Sequence, residues 1–161
     1  MQGLAIGGFM GVGKSTVGTI VAARVGLPFV DMDTVLVARH GVIAEQFRVD
    51  GEAIFRRREL ELAYELCDGK PRVVSTGGGV WASVVCRSAL RAAYVTVVLH
   101  AGLDTLQSRL GSGPGRPLWS SASTLWRARQ EAYAQSDGAF VTDDVPMAVV
   151  ADRVEAWWRT Q

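Results

Sequence analysis

Lysine is almost missing from this chain: Lys14 and Lys70 stand against fifteen arginines. Where positive charge is otherwise carried on guanidinium groups, a lysine suggests a need for a compact ammonium, and this draws attention to Lys14. Cysteine is equally scarce. Cys67 and Cys86 are far apart and belong to no C-x-x-C pair, which argues against a disulfide scaffold and for two reduced, partly buried thiols. His40 and His100 form no metal-ligand spacing with cysteine or aspartate, so a structural zinc is not expected. Neither sign of charge is in excess: the formal net charge is +1, with arginines scattered among almost as many acids. That leaves no electrostatic footprint for nucleic acid or an anionic membrane. No apolar run approaches the roughly 20 residues that span a bilayer. The N-terminal residues lead straight into an apolar segment, so no signal or transit peptide is expected and the cytoplasm is the expected address. No low-complexity tract, repeat or linker interrupts the chain.

What is present is a core. The 161 residues are 48% hydrophobic, enough for one domain spanning 1–161. Short apolar runs alternate with stretches of helical period. Strands are predicted at Leu4–Ile6, Leu27–Val30, Arg72–Ser75, Tyr94–Leu99 and Ala139–Val141. Helices are predicted after Lys14 up to Gly26, then at Thr34–Arg39, Ala44–Val49, Glu52–Leu66, Trp81–Ala93, Leu103–Leu110, Ser121–Gln135 and Pro146–Trp158. The alternation implies an α/β fold: a parallel sheet covered by helices on both faces, with ligands at the carboxyl ends of its strands.

The first strand runs into Gly8-Phe9-Met10-Gly11-Val12-Gly13-Lys14-Ser15-Thr16. This fits G-x-x-x-x-G-K-[ST], and it lies between a strand and a helix as the chemistry requires. Such a loop turns successive backbone N–H groups around a polyphosphate, and the helix N-terminus adds partial positive charge. Lys14 would then reach the β- and γ-phosphates, and the Ser15 hydroxyl would join a Mg²⁺ shell. A nucleoside triphosphate is the expected ligand, with Gly11, Val12, Gly13, Lys14, Ser15 and Thr16 holding it.

Other groups converge on the same end of the sheet. Asp31 and Asp33 follow the second strand, two positions apart in a segment taken as extended, which puts both carboxylates on one face. One could hold a Mg²⁺-bound water and the other accept a substrate hydroxyl proton; Asp33 could also cap the helix starting at Thr34. The third strand ends without the aspartate where many P-loop NTPases place a metal ligand, which makes Asp31 the better metal candidate. In Arg56-Arg57-Arg58, one or two guanidiniums can face the crevice. Glu59 lies three positions beyond Arg56 and can fix it by a side-chain pair, so Arg57 or Arg58 is the residue expected on a solvated face. A held arginine suits a substrate carboxylate. Three consecutive glycines, Gly77-Gly78-Gly79, carry a high entropic cost that close approach of a ligand to the backbone would justify. The Gly/Ser/Pro segment around Arg116 suits a lid over the transferring phosphoryl group. Arg127 and Arg129 lie two apart and therefore on different helix faces. Trp119 and Trp126 are read as packing residues.

In their order and combination these motifs resemble the shikimate kinase family from end to end: the phosphate loop, Asp31-Met32-Asp33, Asp50-Gly51-Glu52 with Phe55-Arg56, Thr76-Gly77-Gly78-Gly79, Arg116-Pro117-Leu118, and Arg129 followed by Tyr133. The resemblance implies a three-layer P-loop kinase fold with a five-stranded parallel sheet, a mobile substrate region at about 31–59 and a lid at about 111–120. It implies transfer of the ATP γ-phosphoryl group to the 3-hydroxyl of shikimate, with Mg²⁺ held through Ser15 and Asp31. Lys14, Asp33 and Arg116 would be catalytic. Asp33, Arg56, Arg129 and the Gly78 backbone would bind the substrate, between apolar walls at Phe47 and Phe55. Arg109 and Pro146 would flank adenine, and Arg116 would also contact the nucleotide. The partners implied are the small molecules ATP and shikimate, without nucleic acid or membrane, acting on a monomer. In Gly41-Val42-Ile43-Ala44 the chain is one residue shorter than the family pattern, and Asp143-Asp144-Val145 stands where many members have a basic residue. The helix of Arg129 lacks the Pro-Leu common before the tyrosine. Competing readings are another small-metabolite P-loop kinase, of the gluconate type or for another cyclitol, and a non-catalytic nucleotide-binding regulator.

Overall fold

A computed structural model describes residues 2–111 and 122–161. Its centre is β1 (Gly3–Gly8), every residue of which is buried. Successive side chains of a strand point to opposite faces, so burial at all six positions means that both faces of the sheet are covered. The other strands are β2 (Phe29–Asp31), β3 (Val73–Ser75), β4 (Tyr94–His100) and β5 (Gly138–Val141). All pair in parallel, in the order β2-β3-β1-β4-β5. Parallel strands covered on both faces read as continuous apolar runs rather than alternating ones, and Val97–Leu99 is such a run. The core gathers Leu4, Ile6, Val73, Val74, Val97, Val98 and Leu99 around it.

Helices α1 (Lys14–Val25), α2 (Met32–His40), α3 (Ile43–Val49), α4 (Glu52–Leu66), α5 (Val84–Ala93), α6 (Leu103–Leu110), α7 (Ala122–Tyr133) and α8 (Met147–Trp158) complete the described fold. Helix α1 packs against α8, and α4 against α5. Gly26 ends α1 at φ 69° with its N–H on the Ala22 carbonyl, the left-handed cap that glycine adopts without a Cβ penalty. Among the described residues no helix is long and apolar enough to cross a membrane.

Two boundaries differ from the sequence-based expectation for a physical reason. The helix expected over Trp81–Ala93 is broken: Val80–Ala82 forms one 3₁₀ turn, and α5 starts at Val84 because the Ser83 hydroxyl accepts from the Cys86 N–H as an N-cap. At the second strand, Asp31 caps α2 by accepting from the Thr34 N–H at 3.1 Å, so the helix begins at Met32 and contains Asp33. Asp33 is therefore not the cap, and the two carboxylates do not leave one extended strand together. Cys67 and Cys86 are both free thiols.

Candidate active site

The loop after β1 is shaped by glycines in the left-handed region, Gly8 at φ 138°, Gly11 at φ 76° and Gly13 at φ 103°. Helix α1 starts directly from Gly13 with no side-chain cap. Its first-turn N–H groups lack intrahelical acceptors and are available to an anion. Lys14 folds back over the loop, its Nζ donating to the carbonyls of Gly8 at 3.0 Å and Phe9 at 2.9 Å. Burial draws this ammonium down from 10.5 to about 8, against the opposing pull of Asp33 and Asp31. The Ser15 hydroxyl donates to the Asp31 carboxylate, so the two groups expected to share a metal stand in contact. A hydroxyl and a carboxylate beside a phosphate loop are hard oxygen donors of the kind Mg²⁺ uses with substrate phosphates and water.

Arg109 and Pro146 lie beside this loop. A side chain at Gly11 would meet Leu110, and one at Gly13 would meet the Met147 sulfur at 2.5 Å, so the end of α6 and the start of α8 press on the phosphate loop. Arg109 donates to the Thr142 hydroxyl at 2.9 Å and to the Thr142 carbonyl at 2.5 Å. The two residues line one cavity of about 520 Å³ with Thr105, Ser108 and Val145. Asp143, which stands where a basic residue is common in the pattern above, is occupied structurally. It accepts from the Gly102 N–H at 2.9 Å and the Thr105 hydroxyl at 2.5 Å, and the Thr105 bond first of all holds its carboxyl below the usual range.

On the other side of Lys14 lies a cavity of about 400 Å³ whose lining includes Asp33, Phe47, Phe55, Arg56, Glu59, Gly78, Gly79 and Arg129. Asp33 enters it from the first turn of α2, with its carboxyl raised by burial and held back by Lys14. Arg56 is fixed as the spacing suggested: it pairs with Glu59 at 2.6 Å and with Glu52 at 3.0 Å. Its guanidinium also lies over the rings of Phe55 at 5.5 Å and Phe47 at 5.8 Å. Arg129 reaches the cavity from α7, only 4% exposed, with its Cζ 5.5 Å from the centre of the Phe9 ring. Its Nε is buried without a hydrogen-bond partner among the described residues. Arg127, on the opposite side of α7, is exposed.

Several positions were not foreseen. Glu59 is itself buried, with its carboxyl pushed up by desolvation. Tyr133 donates to the Gly78 carbonyl at 3.3 Å; its position four residues after Arg129 was a usable signal, since such residues share a helix face. Met10, Val37, Val42 and Ile43 add apolar wall. Arg58 is not solvated but pairs with Asp50 at 2.8 Å, whereas Arg57 is exposed. The triple glycine makes room for side chains of the protein. A Cβ at Gly77 would lie 2.7 Å from Glu59 Oε1 and 2.9 Å from Asp33 Oδ1, one at Gly78 3.1 Å from Arg129 Nη1, and one at Gly79 would collide with Arg56 Nη1. Trp126 packs as expected, its Nε1 donating to the Ala101 carbonyl at 3.3 Å. Arg116, Pro117, Leu118, Trp119 and the lid expected at 111–120 lie outside the described residues, apart from Gly111, which ends α6.

The shikimate kinase family model matches residues 10–157. A shikimate kinase of Rhizobium leguminosarum bv. trifolii is 38% identical over 95% of this chain and 82% of its own length. One from Geobacter sulfurreducens is 41% identical over 84% of this chain and 79% of its own. Among solved structures, shikimate kinase from Acinetobacter baumannii in complex with shikimate superposes with a TM-score of 0.90 at 26% identity, covering 96% of this chain and 90% of that one. A phosphate loop joined to a two-arginine cavity, with relatives alike over nearly the whole length, leaves one assignment: the chain belongs to the shikimate kinase family.

Proposed function

We propose that this protein transfers the γ-phosphoryl group of ATP to the 3-hydroxyl of shikimate. One observation carries the reading. Two guanidiniums from different helices converge on a single cavity beside the phosphate loop, and one of them, Arg129, is buried with an Nε that has no partner among the described residues. A buried cation with spare donors calls for an anion, and the planar fork matches a carboxylate. The remaining walls, Val37, Ile43, Phe47 and Phe55, suit the C–H faces of a compact ring better than an open-chain polyol.

In this reading Arg56 and Arg129 clamp the carboxylate and the Gly78 backbone contacts the ring. Asp33 orients the 3-hydroxyl and takes its proton as the oxygen attacks the γ-phosphorus. The new O–P bond forms as the bond to the β,γ-bridging oxygen breaks, leaving ADP. Phosphoryl transfer passes through a loose transition state, so positioning and positive charge dominate. Lys14 supplies that charge, while Arg109 and Pro146 hold the adenine end. Ser15 and Asp31 would hold Mg²⁺, which would neutralise phosphate charge when bound. A role for Arg116 over the phosphates belongs to the same proposal.

An ADP-release assay across shikimate, quinate and gluconate tests the reading. Turnover with shikimate should exceed both others by at least tenfold. Equal or faster turnover of gluconate, or none with any of the three, overturns it.

A further inference from the structure

The outer wall of the arginine cavity is a helix whose apolar anchors, Ile43 and Phe47, are only partly buried against the core. Helix α3 and the residue before it supply Val42, Ile43, Ala44 and Phe47 to the cavity. Surface helices ordinarily dock through an apolar stripe. In α3 the one buried residue is Gln46, which is 2% exposed, while Val42 and Val49 are 65% and 62% exposed. The innermost position of this wall is thus a primary amide.

That amide joins three helices. Its Nε2 donates to the Gly41 carbonyl at 2.7 Å and to the Leu36 carbonyl at 3.3 Å, at the end of α2. Its Oε1 accepts from Arg58 Nη1 on α4 at 3.0 Å. Arg58 also pairs with Asp50 at 2.8 Å, the residue that closes α3. Carbonyls only accept and guanidinium only donates, so the amide has a single productive orientation. The next residue, Phe47, stands with its ring centre 4.7 Å from that of Phe55 and 5.8 Å from Arg56 Cζ. Apolar contact is non-directional, whereas hydrogen bonds weaken steeply with angle. A helix seated through three hydrogen bonds has one seat.

We propose that Gln46 is a positioning residue for the substrate, acting through α3 to set how closely Phe47 and Ile43 stand over Phe55 and Arg56. The proposal rests on the functional reading above. Losing the amide removes its bonds to two backbone carbonyls at the end of α2 and to Arg58 on α4, leaving Arg58 only its pair with Asp50, so α3 moves relative to α4 and the wall no longer holds the ring against the guanidiniums. The hydrogen bonds of Lys14 and Ser15 at the phosphate loop do not involve α3 and stay as they are.

The test uses the full chain with Gln46→Met, which keeps volume without the hydrogen bonds, and Arg58→Met, which removes the partner of Oε1 together with the Asp50 pair at the end of α3. The KM for shikimate and for ATP are measured separately, together with amide hydrogen exchange of residues 43–49. Gln46→Met should raise the shikimate KM at least fivefold, keep the ATP KM within twofold, and accelerate exchange in 43–49 but not in α1. Arg58→Met should show the same split at twofold or more, and it carries the test alone if Gln46→Met does not fold. An unchanged shikimate KM, a parallel rise of both constants, or unchanged exchange in 43–49 overturns the proposal. If the parent chain does not phosphorylate shikimate, the functional reading fails, and exchange alone decides whether Gln46 seats α3.

Discussion

Asp31 and Asp33 should separate cleanly on substitution. Asp31 carries the α2 cap and the Ser15 contact, so Asp31→Ala should lower stability by about 1 kcal/mol, the usual loss for a removed N-cap. Asp33 is free of the cap, and burial raises its proton affinity, which favours a base. Asp33→Asn should leave the melting temperature near the parent value and lower kcat by about 10²-fold, toward the lower end of the range for a lost general base because the transition state is loose. Melting curves and single-turnover rates check both, and near-parental turnover in Asp33→Asn would refute the base assignment. Lys14 gives a pH signature. Its ammonium is held in the folded protein only below about 8, against 10.5 for an ordinary lysine. Between those values the unfolded chain binds a proton that the folded chain does not, so this residue makes stability rise with pH. The same deprotonation removes the charge facing the phosphates. Against Lys14→Met, the parent should gain stability from about pH 8 to 10, while its kcat/KM for ATP falls as the pH passes about 8.

Among the elements, Gly79 and Gly26 make opposite demands on the chain. Gly79 has an ordinary backbone, φ −92°, but no space, because an added methyl would collide with Arg56 Nη1. Gly26 has φ 69° and nothing within 4 Å of an added Cβ. Gly79→Ala should therefore displace the guanidinium and raise the shikimate KM by about tenfold, equivalent to about 1.4 kcal/mol, with little change in melting temperature. Gly26→Ala should lose about 1–2 kcal/mol of stability to left-handed strain and keep parental kinetics. Steady-state rates and denaturant titrations on the two variants check this. The sequence distinguished these glycines only in part. Gly26 follows a helical period and reads as a cap, whereas the demand at Gly79 comes from an arginine more than twenty positions away. Ser83 was overlooked for a similar reason: the apolar residues before it continue the helical pattern, and only its own hydroxyl breaks the run.

For the molecule as a whole, all five strands and the eight described helices were legible, because each is written in a local period or a local cap. The Arg56–Glu59 pair was legible too, lying within one helical turn. Contacts made by tertiary packing were not: Arg129 against Phe9, Tyr133 holding Gly78, and Gln46 bridging α2 and α4 each join segments whose meeting no short window encodes. The resemblance of motifs brought Arg56 and Arg129 to one substrate before the fold could, but the reason read from the sequence for three glycines in a row, a ligand against the backbone, is not the one that packing adds. That reason, four side chains standing where Cβ atoms would be, bears on the history such a site can have. While the substrate carries a carboxylate, a side chain at position 79 displaces the guanidinium placed to hold it, so the glycine is kept by its neighbour and not by its own backbone. Once the Arg56 guanidinium is lost, that constraint on position 79 goes with it. A lineage that regains the arginine needs the glycine again to seat it, so the two positions are expected to change together.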